Sequence, residues 1–482
     1  MFRKAVAALA LLLFTAWGNS CFAAPRQVYA GAGPSLAPFD LNALIADAQS
    51  WLVDLIRINT TNPPGNEGAA AQYVAAILTK ENIASEVIEV APGRSIVIGR
   101  LQAGPLPNPA TALLLLGHLD VVAADKAKWS TDPFAGTIKD GYLYGRGAID
   151  DKGMVVANLA TIVALKRSGA RLGRDVIFLA DDDAEQNSGA GLKQLIDKYW
   201  TKFACGFAIN TGGRVVLKDG KVQYVGIEAS EKVPYDVVVV ASGPSGSSAL
   251  PRQDSAVNHL AAAIAKISEM KTPGQLLTIT RRYFEQLSQI ADEDTAKWMR
   301  ALETERFDLA VLRLSEMDPA WGAMLHDTVA VTELRAGMRA DVVPAEALAN
   351  LEVDVLPGDP IGAVVDQMEK TVNDPHIKFQ VQTDANVTAP PSAVDSELYQ
   401  AITHAVPKEF PGVPALPMLS NEATDLSELR LHNVQALGLL PFPMTDAEAQ
   451  KAHGDDERLA LTSFHTGVEF LFKTVSEFAT AK

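Results

Sequence analysis

The sequence predicts an α/β protein whose mixed, largely parallel sheet is flanked by helices and whose chain is interrupted by an inserted α+β domain. Three apolar runs, "TALLLLGHLD", "DVIFLADDD" and "FACGFAIN", each end in polar or glycine-rich residues. Strands that are apolar on both faces belong to sheets covered by helices on each side. The stretches between these runs have helical spacing of apolar residues, and 482 residues suffice for two or three domains.

The first residues have the pattern of an export signal. Arg3 and Lys4 precede the apolar run "AVAALALLLFTAW", and "CFA" supplies small residues for cleavage. We therefore expect a signal peptide at 1–23 and an exported, most simply periplasmic, mature protein. The run is too short to span a membrane, which takes about 20 residues. Cys21 leaves a lipoprotein open as the alternative, although the preceding "GNS" lacks the apolar residue typical of such sites.

Composition and charge exclude some classes of partner. The formal net charge is −16, and loss of residues 1–23, which hold two basic and no acidic residues, would make it −18. Such a surface repels phosphate backbones, so we expect no nucleic-acid partner. Cys205 would be the single cysteine of the mature chain, which excludes an intramolecular disulfide bond.

The order of the patterns predicts two domains. After a leader at 24–40, helices such as "LNALIADAQSWLVDLIRI" and the three apolar runs form the first part of a main domain at 41–227. "YDVVVVASG", the helix "SAVNHLAAAIAKI" and the strand "ALANLEVDVLPG" then indicate an inserted domain at 228–386. "TAPPS" has the composition of a linker, so 387–482 should complete the main domain.

The segment 117–153, "GHLDVVAADKAKWSTDPFAGTIKDGYLYGRGAIDDKG", has the features of a metal site. His118 and Asp120 lie two apart at a strand end, so both side chains point the same way, as in an imidazole ligand oriented by a carboxylate. Asp150 follows a glycine-rich turn and could bridge two ions. Each piece alone is better explained as a strand end or a helix N-cap, but their occurrence in one segment favours the metal site.

At these residues the sequence resembles a known family, the zinc peptidases that include glutamate carboxypeptidase, aminoacylase and succinyl-diaminopimelate desuccinylase. The resemblance covers about residues 41–470 and rests on "RINTTNPPGNE", "GHLDVV…W…DPF…YGRGAIDDKG", "EATD" and "AHGDDER". It implies a catalytic main domain, an inserted lid or dimerisation domain, and a cis peptide bond between Asp150 and Asp151. It also implies zinc ligands at four positions, with Asp120 orienting the first: His118, Asp150, Glu185 and His453.

The resemblance also implies a reaction, the hydrolysis of peptide or N-acyl-amino-acid amide bonds, and a homodimer formed through the inserted domain. In this chemistry a carboxylate bridges two zinc ions that activate water. A glutamate beside a ligand glutamate moves the proton of that water. A histidine from the inserted domain stabilises the oxyanion.

The segment "FLADDDAEQNSG" departs from the family pattern of an apolar strand followed by Asp-Glu-Glu. Aligned without gaps, Asp183 matches the aspartate and Glu185 the ligand, so Ala184 replaces the proton-transferring glutamate. A one-residue shift would instead make Glu185 the base and Gln186 the ligand. Either alignment lacks one carboxylate, and Asp183 is the candidate substitute base.

Four further positions differ from what the resemblance implies. Thr211 in "NTGG" replaces a ligand of the second metal ion, and Ser245 in "PSGSS" replaces the lid histidine. Asp341 in "DVVP" replaces an amide that faces substrate, and Asp354 in "VDVLPG" replaces an arginine that resembles a carboxylate clamp. These changes predict one zinc ion rather than two, and a cationic or uncharged substrate.

Two functions remain open from the sequence. One is an exported metallohydrolase with impaired or altered catalysis, and the other is a non-catalytic descendant that binds a peptide-like ligand or a protein partner. The other histidines lack ligand spacing and are not expected to bind metal: His259, His326, His376, His404, His432 and His465.

Overall fold

The computed structural model describes residues 39–382 and 388–481, without the side chains at 187–190. The predicted signal peptide and all but the last two leader residues lie outside this part, so both stay predictions. Among the described residues, no helix has the length and hydropathy needed to cross a membrane.

The helices follow in chain order: α1 (Leu41–Arg57), α2 (Glu67–Lys80), α3 (Lys152–Arg167), α4 (Ala184–Phe203), α5 (Ala256–Ser268), α6 (Thr278–Leu287), α7 (Glu293–Ala301), α8 (Phe307–Met317), α9 (Pro319–Ala323), α10 (Ile361–Val372), α11 (Glu397–Glu409), α12 (Leu426–Leu431), α13 (Asp446–Ala449) and α14 (Leu461–Ala479).

The strands are β1 (Ala84–Ala91), β2 (Arg94–Leu101), β3 (Leu113–His118), β4 (Thr137–Lys139), β5 (Tyr142–Tyr144), β6 (Val176–Asp181), β7 (Phe207–Asn210), β8 (Arg214–Lys218), β9 (Lys221–Glu231), β10 (Val233–Ser242), β11 (Gly246–Ser247), β12 (Thr328–Ala336), β13 (Val342–Val343), β14 (Glu346–Val355), β15 (Ile377–Val381), β16 (Ala415–Ser420), β17 (Gln435–Gly438), β18 (Pro443–Met444) and β19 (Arg458–Ala460).

The large sheet carries the predicted α/β architecture. Its strand order is β1-β2-β6-β3-β7-β17-β9-β8-β18, with β16 beside β9. The central neighbours β6, β3, β7 and β17 pair in parallel, whereas β1 and β2 run antiparallel at one edge. The three apolar runs of the sequence are β3, β6 and β7, so the predicted fold class is confirmed.

The four leucines of β3 show why these strands are apolar on both faces. Leu113 and Leu115 belong to the core formed with α1, α3 and α14, whereas Leu114 and Leu116 face the core formed with α4 and α12. Successive side chains of a strand point to opposite faces. With helices on both sides of the sheet, each position of β3 is buried.

The inserted domain has a sheet of its own. Its order is β12-β14-β10-β15, its pairs are antiparallel, and α5 and α10 pack with it around a separate core. The predicted strands "YDVVVVASG" and "ALANLEVDVLPG" correspond to β10 and β14, which pair from Val233 with Val355 to Ser242 with Glu346.

Helices α6 to α9 lie within the chain range of the inserted domain but pack against the main domain. Ile279, Tyr283 and Phe284 belong to the main core rather than to the core of the inserted sheet. The buried hydroxyl of Tyr283 lies 3.0 Å from that of Tyr224 on β9. The chain therefore leaves the inserted domain after α5 and returns to it at β12, which the predicted boundaries did not anticipate.

The connections between the two domains meet at one place, which we call the waist. It consists of Lys232, Thr272, Asp354 and residues 326–328. Lys232, between β9 and β10, donates from Nζ to the carbonyl oxygen of His326 (3.2 Å) and to Oγ1 of Thr328 (2.7 Å). The Thr272 hydroxyl donates to the carbonyl oxygen of Asp327 at 2.6 Å. The segments entering and leaving the inserted domain are thus hydrogen-bonded to one another.

Candidate metal centre

The predicted site residues converge at the carboxyl ends of three neighbouring strands. His118 ends β3, Glu185 lies in the first turn of α4 just after β6, and Thr211 follows β7. Because β6, β3 and β7 are adjacent and parallel, their carboxyl ends share one edge, where ligand sites of open α/β sheets form. The fold therefore brings together groups that are far apart in sequence.

Asp120 orients His118, as predicted. The Nδ1 atom of His118 lies 3.1 Å from Oδ1 of Asp120, which leaves Nε2 facing the centre. The Asp120 carboxylate is fully buried and also accepts the backbone N–H groups of Ala184 (3.2 Å) and Glu185 (3.0 Å). One carboxylate thus fixes both the imidazole and the beginning of α4.

Asp150 contacts two of the other predicted ligands, His118 and His453. Its Oδ1 lies 3.0 Å from Nε2 of His118, and its Oδ2 lies 3.1 Å from Nε2 of His453. The same Nε2 of His453 lies 3.2 Å from Oε2 of Glu185. Two ligands of one tetrahedral zinc ion are separated by about 3.3 Å, because each lies about 2.0–2.1 Å from the metal. The spacing of these donors fits zinc.

A second observation supports a cation at this place. Oε1 of Glu185 is buried and has no hydrogen-bond partner among the described residues. A buried carboxylate oxygen without a partner is costly unless a cation or donor compensates it. His118, Asp150 and Glu185 each offer a ligand atom within 4.8 Å of the others. We conclude that the residues present fit a zinc ion held by Asp150, Glu185 and His453, with His118 on the other oxygen of Asp150.

The backbone holds His453 in position. His453 has a left-handed conformation, with φ of 59°. The Arg146 guanidinium donates to the carbonyl oxygens of His453 (3.0 Å) and Gly454 (3.2 Å) and is itself paired with the buried Glu457. The motifs "YGRGAIDDKG" and "AHGDDER" are therefore joined by a buried ion pair that sets the fourth ligand.

The imidazoles and carboxylates of the cluster shift one another's pKa values. Burial alone would raise the pKa of Asp150, but hydrogen bonds from His118 and His453 hold it below its usual range. Hydrogen bonds to Asp150 and Glu185 raise the pKa of His453 to about 10. Burial disfavours a charged His118, yet Asp120 and Asp150 raise its pKa well above the ordinary value. A metal ion must displace these protons, because zinc binds neutral imidazole.

The predicted cis peptide bond between Asp150 and Asp151 is confirmed. Oδ2 of Asp151 accepts the backbone N–H of His118 at 3.0 Å, and its Oδ1 accepts the hydroxyl of Thr211. Burial raises the pKa of Asp151 to about 8. Thr211, at the position of the missing second-metal ligand, is thus hydrogen-bonded to Asp151.

The first turn of α4 favours the alignment without gaps. Glu185 contacts His453, whereas the amide of Gln186 faces the backbone oxygen of Asn62 at 3.4 Å. Ala184 is the first residue of α4, immediately before the ligand. Asp183 lies nearby, but its Oδ1 accepts both Asn62 Nδ2 (2.8 Å) and Arg94 (3.1 Å), so proton transfer by Asp183 would fall to Oδ2.

The altered positions of the inserted domain lie in two places. Ser245 immediately precedes β11, which pairs with β13, and the N–H of Ser248 donates to the carbonyl oxygen of Asp341 at 3.1 Å. Ser245 and Asp341 are both exposed. Asp354 belongs to the waist, where the Thr328 hydroxyl lies 3.3 Å from its Oδ2 and burial raises its pKa.

Glu422 is an acidic residue near the centre that was not singled out from the sequence. Its side chain is exposed at the edge of the site. Partial desolvation by the surrounding protein raises its pKa, the charges of Asp150 and Asp354 raise it further, and the charge of His453 opposes them. Its carboxylate accepts no hydrogen bond from another described residue, and only its backbone N–H is engaged, by Ser420 at 3.2 Å. The signal in the sequence was the acidic first residue of "EATD", which was quoted only as part of a motif.

The chain is similar in sequence to several proteins that are named as hydrolases. The chain is 28% identical over 375 residues to the probable carboxypeptidase S-like 2 of Dictyostelium discoideum, covering 75% of this chain and 71% of that protein. It is 26% identical over 376 residues to the human N-fatty-acyl-amino acid synthase/hydrolase PM20D1, covering 75% and 73%. It is 26% identical over 429 residues to pig aminoacylase-1, covering 88% and 93%.

Solved structures share the fold. An M20 family metallo-carboxypeptidase from Sulfolobus solfataricus superposes with a TM-score of 0.66 at 17% identity, covering 90% of this chain and 99% of that one. Human carnosine dipeptidase 1 gives 0.64 at 16% identity, covering 91% and 96%. The model of peptidase family M20/M25/M40 matches residues 114–477, a span that contains all four predicted ligands. The chain belongs to this family of metal-dependent, peptidase- and aminoacylase-like hydrolases.

Proposed function

We propose that this protein is exported, most simply to the periplasm, and binds one zinc ion and a peptide or N-acyl amino acid, with amide hydrolysis that is impaired or altered from the family reaction. The observation that carries the proposal is the asymmetry of the centre. Asp150, Glu185 and His453 form a complete set for one ion, and one buried oxygen of Glu185 has no hydrogen-bond partner within the described part of the chain. The position opposite is filled by the neutral hydroxyl of Thr211.

One ion rather than two follows from the donors available. On the His118 side, the second ion would have His118, the Oδ1 oxygen of Asp150 and a neutral Thr211. The Thr211 hydroxyl already donates to Asp151. Losing a carboxylate ligand weakens a divalent-cation site, because the charge of the ligand supplies much of the binding free energy. The Asp150, Glu185 and His453 side is therefore proposed as the occupied one.

Hydrolysis by this centre would need a proton carrier other than residue 184. When bound, zinc supplies Lewis-acid activation of the scissile carbonyl and of water. Glu422 is the better candidate for accepting the proton, because its carboxylate accepts no hydrogen bond from the described residues and its pKa is raised above the ordinary value of a glutamate. Asp183 is the second candidate, through Oδ2.

The acidic surroundings support a cationic or uncharged substrate. Asp354 replaces a predicted arginine clamp, and the charges of Asp354 and Glu422 are close enough to act on each other. A substrate carboxylate placed between them would be repelled, so among peptides and N-acyl amino acids we favour those with a basic side chain or a blocked carboxylate. The relatives named for carboxypeptidase, N-fatty-acyl-amino acid and aminoacylase activities support peptide or N-acyl amino acid ligands as the class.

The second candidate function is a non-catalytic binding protein. Ala184 removes the proton-transferring carboxylate from the first turn of α4, and Ser245 offers no imidazole. Loss of a general base costs about two to four decades in rate, and loss of an oxyanion donor about two to three more. A chain with both losses keeps a pocket for a ligand without rapid turnover.

Metal analysis and amide hydrolysis separate the two candidates. We would measure zinc in the purified mature protein and its hydrolysis of N-acyl amino acids and dipeptides, before and after chelation. Hydrolysis that chelation abolishes and zinc restores supports the hydrolase. Absence of hydrolysis in the natural chain supports the binder, and absence of zinc as well contradicts the whole proposal. The double variant Ala184→Glu with Thr211→Glu, assayed with zinc, tests whether the lost carboxylates are the cause, with Glu185→Gln as the metal-binding control.

Glu422→Gln tests the proposed proton carrier. The change keeps the size of the side chain and removes its basicity, so we expect kcat to fall by about 100-fold or more while zinc content stays constant. Asp183→Asn is the matched control and should change kcat much less. The reverse order of effects would assign proton transfer to Asp183.

We also propose a homodimer formed through the inserted domain. Its edge strand β12 ends near two exposed apolar residues, Leu334 (62% exposed) and Met338 (102%). Exposed apolar side chains beside an unpaired strand edge favour association with another chain. Light scattering of the mature protein should give twice the chain mass, and Leu334→Glu should shift it toward the monomer. A monomeric natural chain would contradict the proposal.

A further inference from the structure

A second group of metal-binding side chains lies in the inserted domain. His259 lies in the first turns of α5, Asp374 follows Asn373 at the end of α10, and His376 directly precedes β15. These three residues each offer a ligand atom within 4.8 Å of the others. The group shares no residue with the Asp150 centre.

The geometry within the group is that of an oriented ligand set. Nδ1 of His259 lies 2.6 Å from Oδ2 of Asp374, while the other oxygen of Asp374 accepts the backbone N–H of His376 at 2.9 Å. The two imidazole rings stack with centroids 4.4 Å apart and planes inclined by 28°. The two imidazoles and the carboxylate are thus already close enough to bind one ion without a large movement of the backbone.

The atom of His259 that faces Asp374 is Nδ1, and it is the ligand atom that can share an ion with this carboxylate. Zinc would displace the proton that now lies between Nδ1 and Asp374. Nε2, on the far side of the ring, is buried and has no hydrogen-bond partner among the described residues. The His259 and Asp374 side chains are only 18% and 21% exposed, whereas His376 is exposed and leaves the group open to solvent.

The scaffold around the group is fixed by hydrogen bonds. The carbonyl oxygen of His376 accepts the N–H of Ser242 at 3.0 Å, which joins the loop to β10. Lys266 donates from Nζ to the carbonyl oxygen of Val372 at 2.6 Å, which joins α5 to the end of α10. Ligands on elements that are joined in this way lose little entropy when they bind an ion.

The neighbouring charges do not neutralise the group. Arg252 lies on the loop before α5, but both oxygens of Asp254 pair with it at 3.0 Å. Asp374 remains the carboxylate that faces the imidazoles. Two imidazoles and one carboxylate with an open fourth position are a donor set that zinc prefers.

We propose that His259, Asp374 and His376 form a separate zinc site that joins α5 to the loop between α10 and β15. The site is structural and independent of the proposed hydrolysis. A mature chain should then bind one zinc ion more than its active centre holds. Metal content alone therefore overstates the occupancy of the Asp150 centre.

Zinc titration of the metal-stripped mature protein tests the site. We would compare the natural chain with His259→Gln/His376→Gln by calorimetry and by metal analysis after gel filtration. The double variant should bind one equivalent less, or bind that equivalent more than about tenfold more weakly. His404→Gln, an exposed histidine outside both groups, is the matched control and should bind as the natural chain does. Equal stoichiometry and affinity in the double variant would overturn the proposal.

Cobalt gives a measurement that does not depend on the folding of the double variant. In a chain carrying Glu185→Gln and His453→Gln, the Asp150 centre lacks two ligands, so Co²⁺ bound elsewhere can be observed. We expect visible d–d absorption of a four-coordinate nitrogen and oxygen site, removed by one equivalent of zinc. Absence of this absorption would contradict the site at His259, Asp374 and His376, and its presence would support metal binding outside the Asp150 centre.

Discussion

His118 and His453 contact the same carboxylate but differ in how far the sequence predicts them. His118 and Asp120 lie two apart at a strand end, so their spacing alone places both side chains together. His453 reaches Asp150 through a left-handed turn held by Arg146, which no local pattern indicates. The family resemblance was needed to predict it.

His259 and His376 are a different case. We expected both to be ordinary histidines because neither has ligand spacing in the chain. The partner of His259, Asp374, lies 115 positions away and reaches it only when α5 packs beside α10. The site proposal therefore depends on tertiary contacts.

Cys205 gives a prediction at the scale of one residue. Burial raises the pKa of its thiol to about 12, and its side chain lies in the core between the sheet and α4. Since the thiolate is the reactive form, iodoacetamide at pH 8 should leave native Cys205 unmodified and alkylate it fully in urea. Mass spectrometry of the peptide measures both, with free cysteine as the control. Rapid alkylation of the native protein would contradict the buried placement.

At the scale of elements, apolar runs predicted β3, β6, β7, β10 and β14 because buried strands must be apolar. Helices α6 to α9 were assigned to the inserted domain from chain order, yet their apolar faces pack on the main core. An amphipathic helix shows which face is buried but does not identify the surface that buries it.

Gly153 links the motif "IDDKG" to the start of α3. A Cβ atom at this position would lie 2.3 Å from the carbonyl oxygen of Ala148, and backbone cannot move aside easily. Gly153→Ala should therefore lower the free energy of unfolding by about 1–3 kcal/mol. Urea denaturation of the metal-free protein measures it.

Gly362 is the matched control for that change. It also lies in the first turn of a helix, α10, but a Cβ there meets nothing within 4 Å. Gly362→Ala should raise the free energy of unfolding by about 0.5–1 kcal/mol, because alanine loses less backbone entropy in a helix. Equal effects of the two substitutions would show that the contact with Ala148 is absent.

At the scale of the whole molecule, zinc binding should couple to protons and to stability. The pKa of His453 is raised from 6.5 to about 10, so its proton stabilises the metal-free fold fully below about pH 6.5. This stabilisation is lost as pH rises through about 10. Zinc displaces the proton, so its apparent affinity should rise with pH over the same window.

Thermal unfolding with and without zinc checks this expectation. The zinc-induced rise in Tm should be larger at pH 8.5 than at pH 6.5, and calorimetry at pH 7 in buffers of different ionisation enthalpy should show proton release. His453→Gln should reduce the pH dependence, and the remainder should come from His118, whose pKa is also raised. A rise in Tm that is the same at both pH values would contradict the assigned coupling.

The hydrogen-bonded waist has a mechanical consequence. Lys232, Thr272 and the segment 326–328 join the strands where they enter and leave the inserted domain. Because three of the connections between the domains are held together in this patch, we expect any movement of the inserted domain to be a rotation about the patch rather than a translation. Substitutions in the patch should therefore change the orientation of the inserted domain without touching the metal ligands.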